Sequence, residues 1–149
     1  MDKVKEQKKI EQFRGVNRFL SNFFQFTIQY EDEKYASAEH LFQSFKATNE
    51  ENRKKIAKAL TPALAKQYGN KIECRKDWDE VRIEMMEKAV RAKFKSPHLK
   101  QMLIDTKDAI LIEGNYWNDS FWGVNLETGL GENHLGKILM KIREEIKDE

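Results

Sequence analysis

The chain has 149 residues, 40% of them hydrophobic and 35% charged, which fits one globular domain with a heavily charged surface and a core large enough to need no staples. Its 27 basic and 25 acidic residues are interspersed to a net charge of +2, which leaves no electrostatic footprint of a general nucleic-acid binder. Cys74 is the sole cysteine, which excludes an internal disulfide and a multi-thiolate metal site and fits a reducing, cytoplasmic setting.

In chain order, the polar stretch Met1 to Lys9 reads as a frayed or helical start; no apolar run follows it, so it is not a secretory signal. Phe24, Phe26, Ile28 and Tyr30 alternate with polar residues, Glu31-Asp32-Glu33 interrupts, and Lys34-Tyr35 follows, so a short β-hairpin is predicted. Ser37 is placed to cap a helix from Ala38 to about Ala47, with Ala38, Leu41, Phe42 and Phe45 as its apolar stripe. On another side of that helix Glu39, Gln43 and Lys46 recur at i, i+4 and i+7, a polar line able to share one site. Asn49 opens a charged helix to Leu60, and Thr61-Pro62 opens another that Gly69 should stop. Asp77 and Glu80 form a cap-like pair before a helix to Phe94, with Val81, Met85, Ala89 and Ala92 as its apolar side. Ser96-Pro97 restarts a short helix with Leu99, Met102 and Leu103 inward, and Ala109 to Ile112 reads as a buried strand. This apolar run is far short of the ~20 residues of a membrane span. From Gly114 to Gly136 periodicity is lost, and five of the seven glycines stand there among Asn, Asp and Trp. A loop this long inside a domain is usually functional. Leu135, Ile138, Leu139, Ile142 and Ile146 then mark a final amphipathic helix. The expected fold is therefore mainly α (α+β): one helical domain with an N-terminal hairpin and a Gly-rich loop.

Several chemistries are closed by spacing. His40, His98 and His134 are far apart with no HExxH or Cys/His pattern, so no metal site is expected. There is no P-loop, no GxGxxG after a strand and no GxSxG. What remains is carboxylates, a lysine and aromatics embedded in polar loops. Each has an ordinary explanation: a first-turn glutamate is favoured by the helix dipole by about 0.3–1 kcal/mol. Tryptophans anchor packing, and Asn22 or Asp119 can serve turns.

The combination is more specific. Phe13-Arg14-Gly15, Phe19 to Phe23, Ser37 to Gln43 with Lys46, Arg75 to Trp78, Met86 to Phe94, Asn118-Asp119 with Phe121-Trp122-Gly123, and Gly131 to Gly136 with Leu139-Met140 and Arg143 stand in order. They resemble the blocks of the NADAR family of YbiA-like proteins, from about Phe13 to Arg143. The resemblance implies a mainly helical fold and cleavage of N-glycosidic bonds, either in ribosylamino-pyrimidine phosphates of riboflavin synthesis or in ADP-ribosylated guanine. It implies active-site roles for Glu39, Trp78 and Asp119, with Lys46 a further candidate and Arg75 on the phosphate side. His134 stands where an arginine is frequent in the family.

These residue types suit that reaction. Breaking a base–ribose bond builds positive charge on the anomeric carbon, which a carboxylate such as Glu39 stabilises, or it activates water. Asp119 is expected to hold ribose hydroxyls or assist proton transfer. Lys46 either attacks a ring-opened sugar as an amine, which needs a depressed pKa, or forms a plain ion pair with Glu39. Trp78 and Trp122 offer faces for a flat heterocycle, Arg75 a bidentate fork for phosphate, and the glycines around Gly123 a close backbone approach. Asn22 and Gln43 complete the expected substrate-binding set. The expected partner is a small ribose-phosphate or ADP-ribose compound, with a modified nucleic-acid base or a non-catalytic ADP-ribose module as alternatives. No cofactor and no membrane are expected.

Overall fold

A computed structural model describes residues 7–149. In chain order the elements are β1 (Lys9–Ile10), a 3-10 turn (Gly15–Leu20), β2 (Gln25–Tyr30), β3 (Glu33–Ser37), α1 (Ala38–Ser44), α2 (Glu50–Ala57) and α3 (Pro62–Lys71). Then follow α4 (Trp78–Lys93), α5 (Pro97–Ile104), β4 (Ile110–Leu111), β5 (Gly114–Asn115), β6 (Val124–Asn125) and α6 (His134–Ile146). Helices dominate, so the fold is mainly α with an α+β character, as the periodicity predicts. Two units emerge: Asn22–Ser96, and the described residues up to Ser21 together with Pro97–Glu149.

In the Asn22–Ser96 unit, β2 and β3 pair antiparallel with Ile28 opposite Tyr35, and both of these side chains are buried. The two-residue turn puts Glu31 at a φ of 52°, a left-handed conformation that costs a non-glycine residue about 1–2 kcal/mol. The strand runs straight into α1. Ser37 pairs with Gln25 and its side chain accepts the amide of His40, so the last residue of the strand is also the helix cap. Such a cap contributes about 1 kcal/mol. The helix stops at Ser44, three residues short of the predicted end, because Ala47 leaves to bridge Cys74. Around α1 lie β2, β3, α2, α3 and α4, and every residue of the helix is buried. The predicted apolar stripe is therefore only part of a helix enclosed on all sides, and Glu39 and Gln43 are interior residues.

Two expectations in this unit fail for identifiable reasons. Gly69 does not stop α3, which runs on to Lys71. Asp77 makes no capping hydrogen bond, because both its carboxylate oxygens are taken by Arg75. The buried face of α4 is also shifted by about one residue, to Met85, Met86, Ala89, Val90 and Lys93, leaving Val81 and Ala92 half-buried.

In the second unit α6 buries Leu135, Ile138, Leu139, Ile142 and Ile146 as the spacing predicts, and it packs on β4 and α5. Leu99 and Leu103 of α5 are buried and Met102 is half-buried. The expected strand at Ala109 to Ile112 is present as β4, which pairs parallel with β1. Lys9 is thus in a strand rather than in a frayed start; Met1 to Glu6 lie outside the described residues. The Gly-rich segment is less irregular than its sequence suggests, since β5 and β6 form a short parallel ladder within it. No helix among the described residues is long and apolar enough to cross a membrane.

Candidate active site

Glu39 occupies the first turn of α1, where the free N–H groups of the helix favour a carboxylate. The residue is only 7% exposed, so its charge depends on what surrounds it. Its backbone amide donates to the carbonyl of Asn22 at 3.1 Å, and its Oε1 accepts from Gln43 Nε2 at 2.8 Å. Asn22 thus enters the site through its backbone, while its own amide donates to Met86 Sδ at 3.0 Å. The i, i+4 spacing read from the sequence is realised as a direct hydrogen bond between Glu39 and Gln43.

Lys46 lies just past the helix, its backbone amide bonded to the Gln43 carbonyl at 3.1 Å. Its ammonium donates to Asn70 Oδ1 at 3.4 Å and stands 5.6 Å from the ring centroid of Trp78. It does not form the ion pair with Glu39 that the sequence allows. Burial pushes the Lys46 pKa below its ordinary value, only partly opposed by its electrostatic interactions with Cys74 and Glu39, and the nearby Lys66 adds to the fall. Trp78 packs against Phe42 with ring centroids 5.1 Å apart, so it is a packing anchor as well as a neighbour of Lys46. Arg75 ties its backbone amide to the Lys46 carbonyl at 2.9 Å, but its guanidinium fork is already closed on Asp77, at 2.6 and 3.0 Å. A phosphate at Arg75 would have to compete with that carboxylate. Asn22, Glu39, Gln43, Lys46, Arg75 and Trp78 thus all belong to the Asn22–Ser96 unit.

Asp119, Trp122 and Gly123 belong to the other unit. Asp119 Oδ1 accepts the backbone amides of Phe121 at 3.2 Å and Trp122 at 3.0 Å, the turn-forming use that the sequence left open. Trp122 meets Phe121 edge-on at 4.7 Å, and the His134 ring lies 4.5 Å from Phe121. A side chain at Gly123 would collide with the carbonyl of Glu113, so this glycine is required by backbone packing. The turn is pinned by Asn115, which is 1% exposed: its Oδ1 accepts the Asp119 amide at 3.0 Å and its Nδ2 donates to the Asp119 carbonyl at 2.8 Å. Asn133 ties the far end of the segment, donating to Leu111 O at 2.9 Å and accepting from Glu113 N at 3.0 Å.

Sequence reasoning passed over three polar residues that the fold buries. His40 is fully buried, with Nδ1 2.7 Å from Ser37 Oγ and Nε2 2.9 Å from the Ala59 carbonyl. Lys93 is 1% exposed, its ammonium 5.6 Å from the Phe24 ring and 5.2 Å from the Phe94 ring. The signal was its place at i+7 from Met86 and i+3 from Val90, a lysine on a buried stripe. Asn115 carried no periodic signal. Among the described residues no group of three His, Cys, Asp or Glu side chains is placed to hold a metal ion.

The ordered blocks quoted above have a direct counterpart: residues 6–147 match the NADAR domain. The chain belongs to the NADAR family. Across 130 residues this NADAR chain is 35% identical to N-glycosidase YbiA of Escherichia coli, covering 85% of this chain and 80% of the relative. The NMR structure of E. coli YbiA superposes with a TM-score of 0.82 at 32% identity, covering 95% of this chain and 87% of that one. The fold is therefore YbiA-like. A third relative, the chloroplastic riboflavin biosynthesis protein PYRR of Zea mays, is 34% identical over 145 residues, which span 85% of this chain and 23% of that protein.

Proposed function

We propose that this NADAR chain hydrolyses the N-glycosidic bond between a base-like group and ribose phosphate, with Glu39 as the carboxylate at the anomeric carbon. The carrying observation is Glu39 itself: a buried carboxylate in the first turn of a helix, held by Gln43 and Asn22, in a chain whose relatives include a named N-glycosidase. As the bond from C1′ to the base nitrogen breaks, charge on C1′ rises and Glu39 opposes it at short range. The oxygen of a water molecule bonds to C1′ as the bond to nitrogen breaks, one water proton passes to the Glu39 carboxylate, and that proton is handed on to the departing nitrogen, which leaves as the neutral base while the carboxylate is restored. By an alternative route, Lys46, with its pKa lowered by burial, supplies an amine able to add to the C1′ imine of the ring-opened glycosylamine; the base then leaves as its free amine, and water hydrolyses the lysine imine to release the sugar and restore the amine. Asp119 uses one oxygen to shape the Trp122 turn and offers the other to a ribose hydroxyl. No step needs a metal.

A ribosylamino-pyrimidine phosphate is the favoured substrate class, supported by the maize relative's name as a riboflavin biosynthesis protein. The test incubates purified protein separately with a ribosylamino-pyrimidine phosphate, ADP-ribosylated guanosine and NAD, with and without EDTA, and follows released base and ribose phosphate by mass spectrometry. Release from the first, unchanged by EDTA, is the expected result. Release only from ADP-ribosylated guanosine would move the substrate to modified nucleic-acid bases. Release from none would leave a binding module.

A further inference from the structure

We propose that Gly69, inside α3, is a positioning residue for Glu39 that acts through Gln43; this rests on Glu39 being the catalytic carboxylate. The backbone at Gly69 does not demand glycine, since its φ is not among the positive values of the chain. In a helix interior glycine is the poorest former after proline, so local stability does not explain it either. What it supplies is room. A Cβ at this position would collide with Gln43 Oε1 and come within 2.8 Å of Gln43 Cδ and 3.2 Å of its Cβ.

Gln43 is 4% exposed, and its amide is aimed by steric walls as much as by bonds. Nε2 donates to Glu39 Oε1 at 2.8 Å, while Oε1 is buried and has no hydrogen-bond partner. A buried acceptor without a partner is a cost that folds rarely carry without a reason. Here the other end of the same amide is committed to the Glu39 carboxylate. Gly69 is the wall that lets the orphan oxygen rest against bare backbone. Any side chain there displaces the amide, which is the movable end of a flexible residue, so the fold relaxes while the bond to Glu39 is lost. The next residue, Asn70, accepts from the Lys46 ammonium at 3.4 Å, so one turn of α3 touches the settings of both Glu39 and Lys46.

The test combines Gly69→Ala, Gln43→Ala and the double variant, assayed on a ribosylamino-pyrimidine phosphate, with melting curves and the Gln43 side-chain amide signals in 15N–1H NMR, assigned by their loss in Gln43→Ala. Gly69→Ala should lower kcat about tenfold or more, leave KM within about threefold, and move the Gln43 amide signals. In the Gln43→Ala background the same change should alter kcat less than about twofold, because its target is gone. Unchanged kcat and unmoved amide signals in Gly69→Ala overturn the proposal, as does an equal loss in both backgrounds. Should Gly69→Ala fail to fold while the double variant folds, the coupling through Gln43 stands; if neither folds, Gly69 serves packing alone and the proposal falls. If the wild type does not turn over the probe, the proposed function fails, and the NMR signals alone decide whether Gly69 sets the Gln43 amide.

Discussion

Replacing Glu39 with glutamine removes a charge while keeping size and much of the hydrogen bonding. Three terms of its effect on stability follow from the contacts described. The helix-dipole contribution of about 0.3–1 kcal/mol is lost. The bond from Gln43 weakens from the charged range, about 1.5–3 kcal/mol, to the neutral range, about 0.5–1.5 kcal/mol. Against these, a carboxylate only 7% exposed no longer has to be held out of water. The net loss should stay below about 2 kcal/mol, a fall in Tm of no more than about 8 °C for a chain of this size. Turnover should fall much further, by about 100-fold or more, since the charge that opposes the developing positive centre is gone. Melting curves and single-turnover release of base measure the two together. A Glu39→Gln protein that melts normally and keeps near-full turnover would refute the catalytic role and leave a dipole-favoured helix residue.

Lys46→Met should not lower Tm at neutral pH, because burial disfavours the ammonium it removes, yet it should cut turnover about 100-fold; full activity would limit Lys46 to packing on Trp78. The charge of Glu39 raises the Lys46 pKa, so in Glu39→Gln the Lys46 ammonium should titrate still lower by 13C NMR, and an unmoved titration would show the two do not interact. Burial holds His40 below its ordinary pKa of about 6.5, so the unfolded chain takes up the proton first. Stability should therefore be full above that value and fall as the pH drops through it, and denaturant curves of His40→Asn should lack that step. Asp119→Asn keeps an acceptor for the Phe121 and Trp122 amides, so Trp122 fluorescence should stay native while turnover drops about tenfold. Native turnover would confine Asp119 to shaping the loop.

Local signals were the legible part of this chain. The Ser37, Asn49 and Thr61 caps each accept a backbone amide as read, because capping is decided within four residues. The α6 stripe was equally plain. What escaped was decided by distant partners. Strand β4 was read from its apolar run, but its partner β1 and the ladder β5–β6 are two residues long and leave no periodicity to read. Glycine at 69 has two uses, ending a helix or admitting a neighbour, and only Gln43 tells them apart. Asp77 looked like a cap until Arg75 claimed its oxygens. Glu39 and Gln43 were found by spacing, but their burial was not, because it depends on three helices and a hairpin closing around α1. Arg75 and Gly123 were named for substrate contact, and their local surroundings give each a structural duty as well.

The absence of any loop between β3 and α1 sets where this protein can tolerate change. Glu39 stands two residues beyond Ser37, which is hydrogen-bonded in the hairpin and caps the helix, and its own amide reaches back to Asn22 just ahead of β2. Sheet register therefore fixes the carboxylate in both height and direction. One residue inserted into β3 would break the pairing of Ser37 with Gln25 and, since side chains alternate faces along a strand, carry Glu39 and Gln43 together off the Asn22 carbonyl and out of their place against the hairpin. One inserted at the Glu31-Asp32 tip would only lengthen a turn. Insertions drifting into relatives of this chain should accumulate at the hairpin tip and spare the five residues from Tyr35 to Glu39, which act as a ruler laid from the sheet to the buried Glu39 carboxylate.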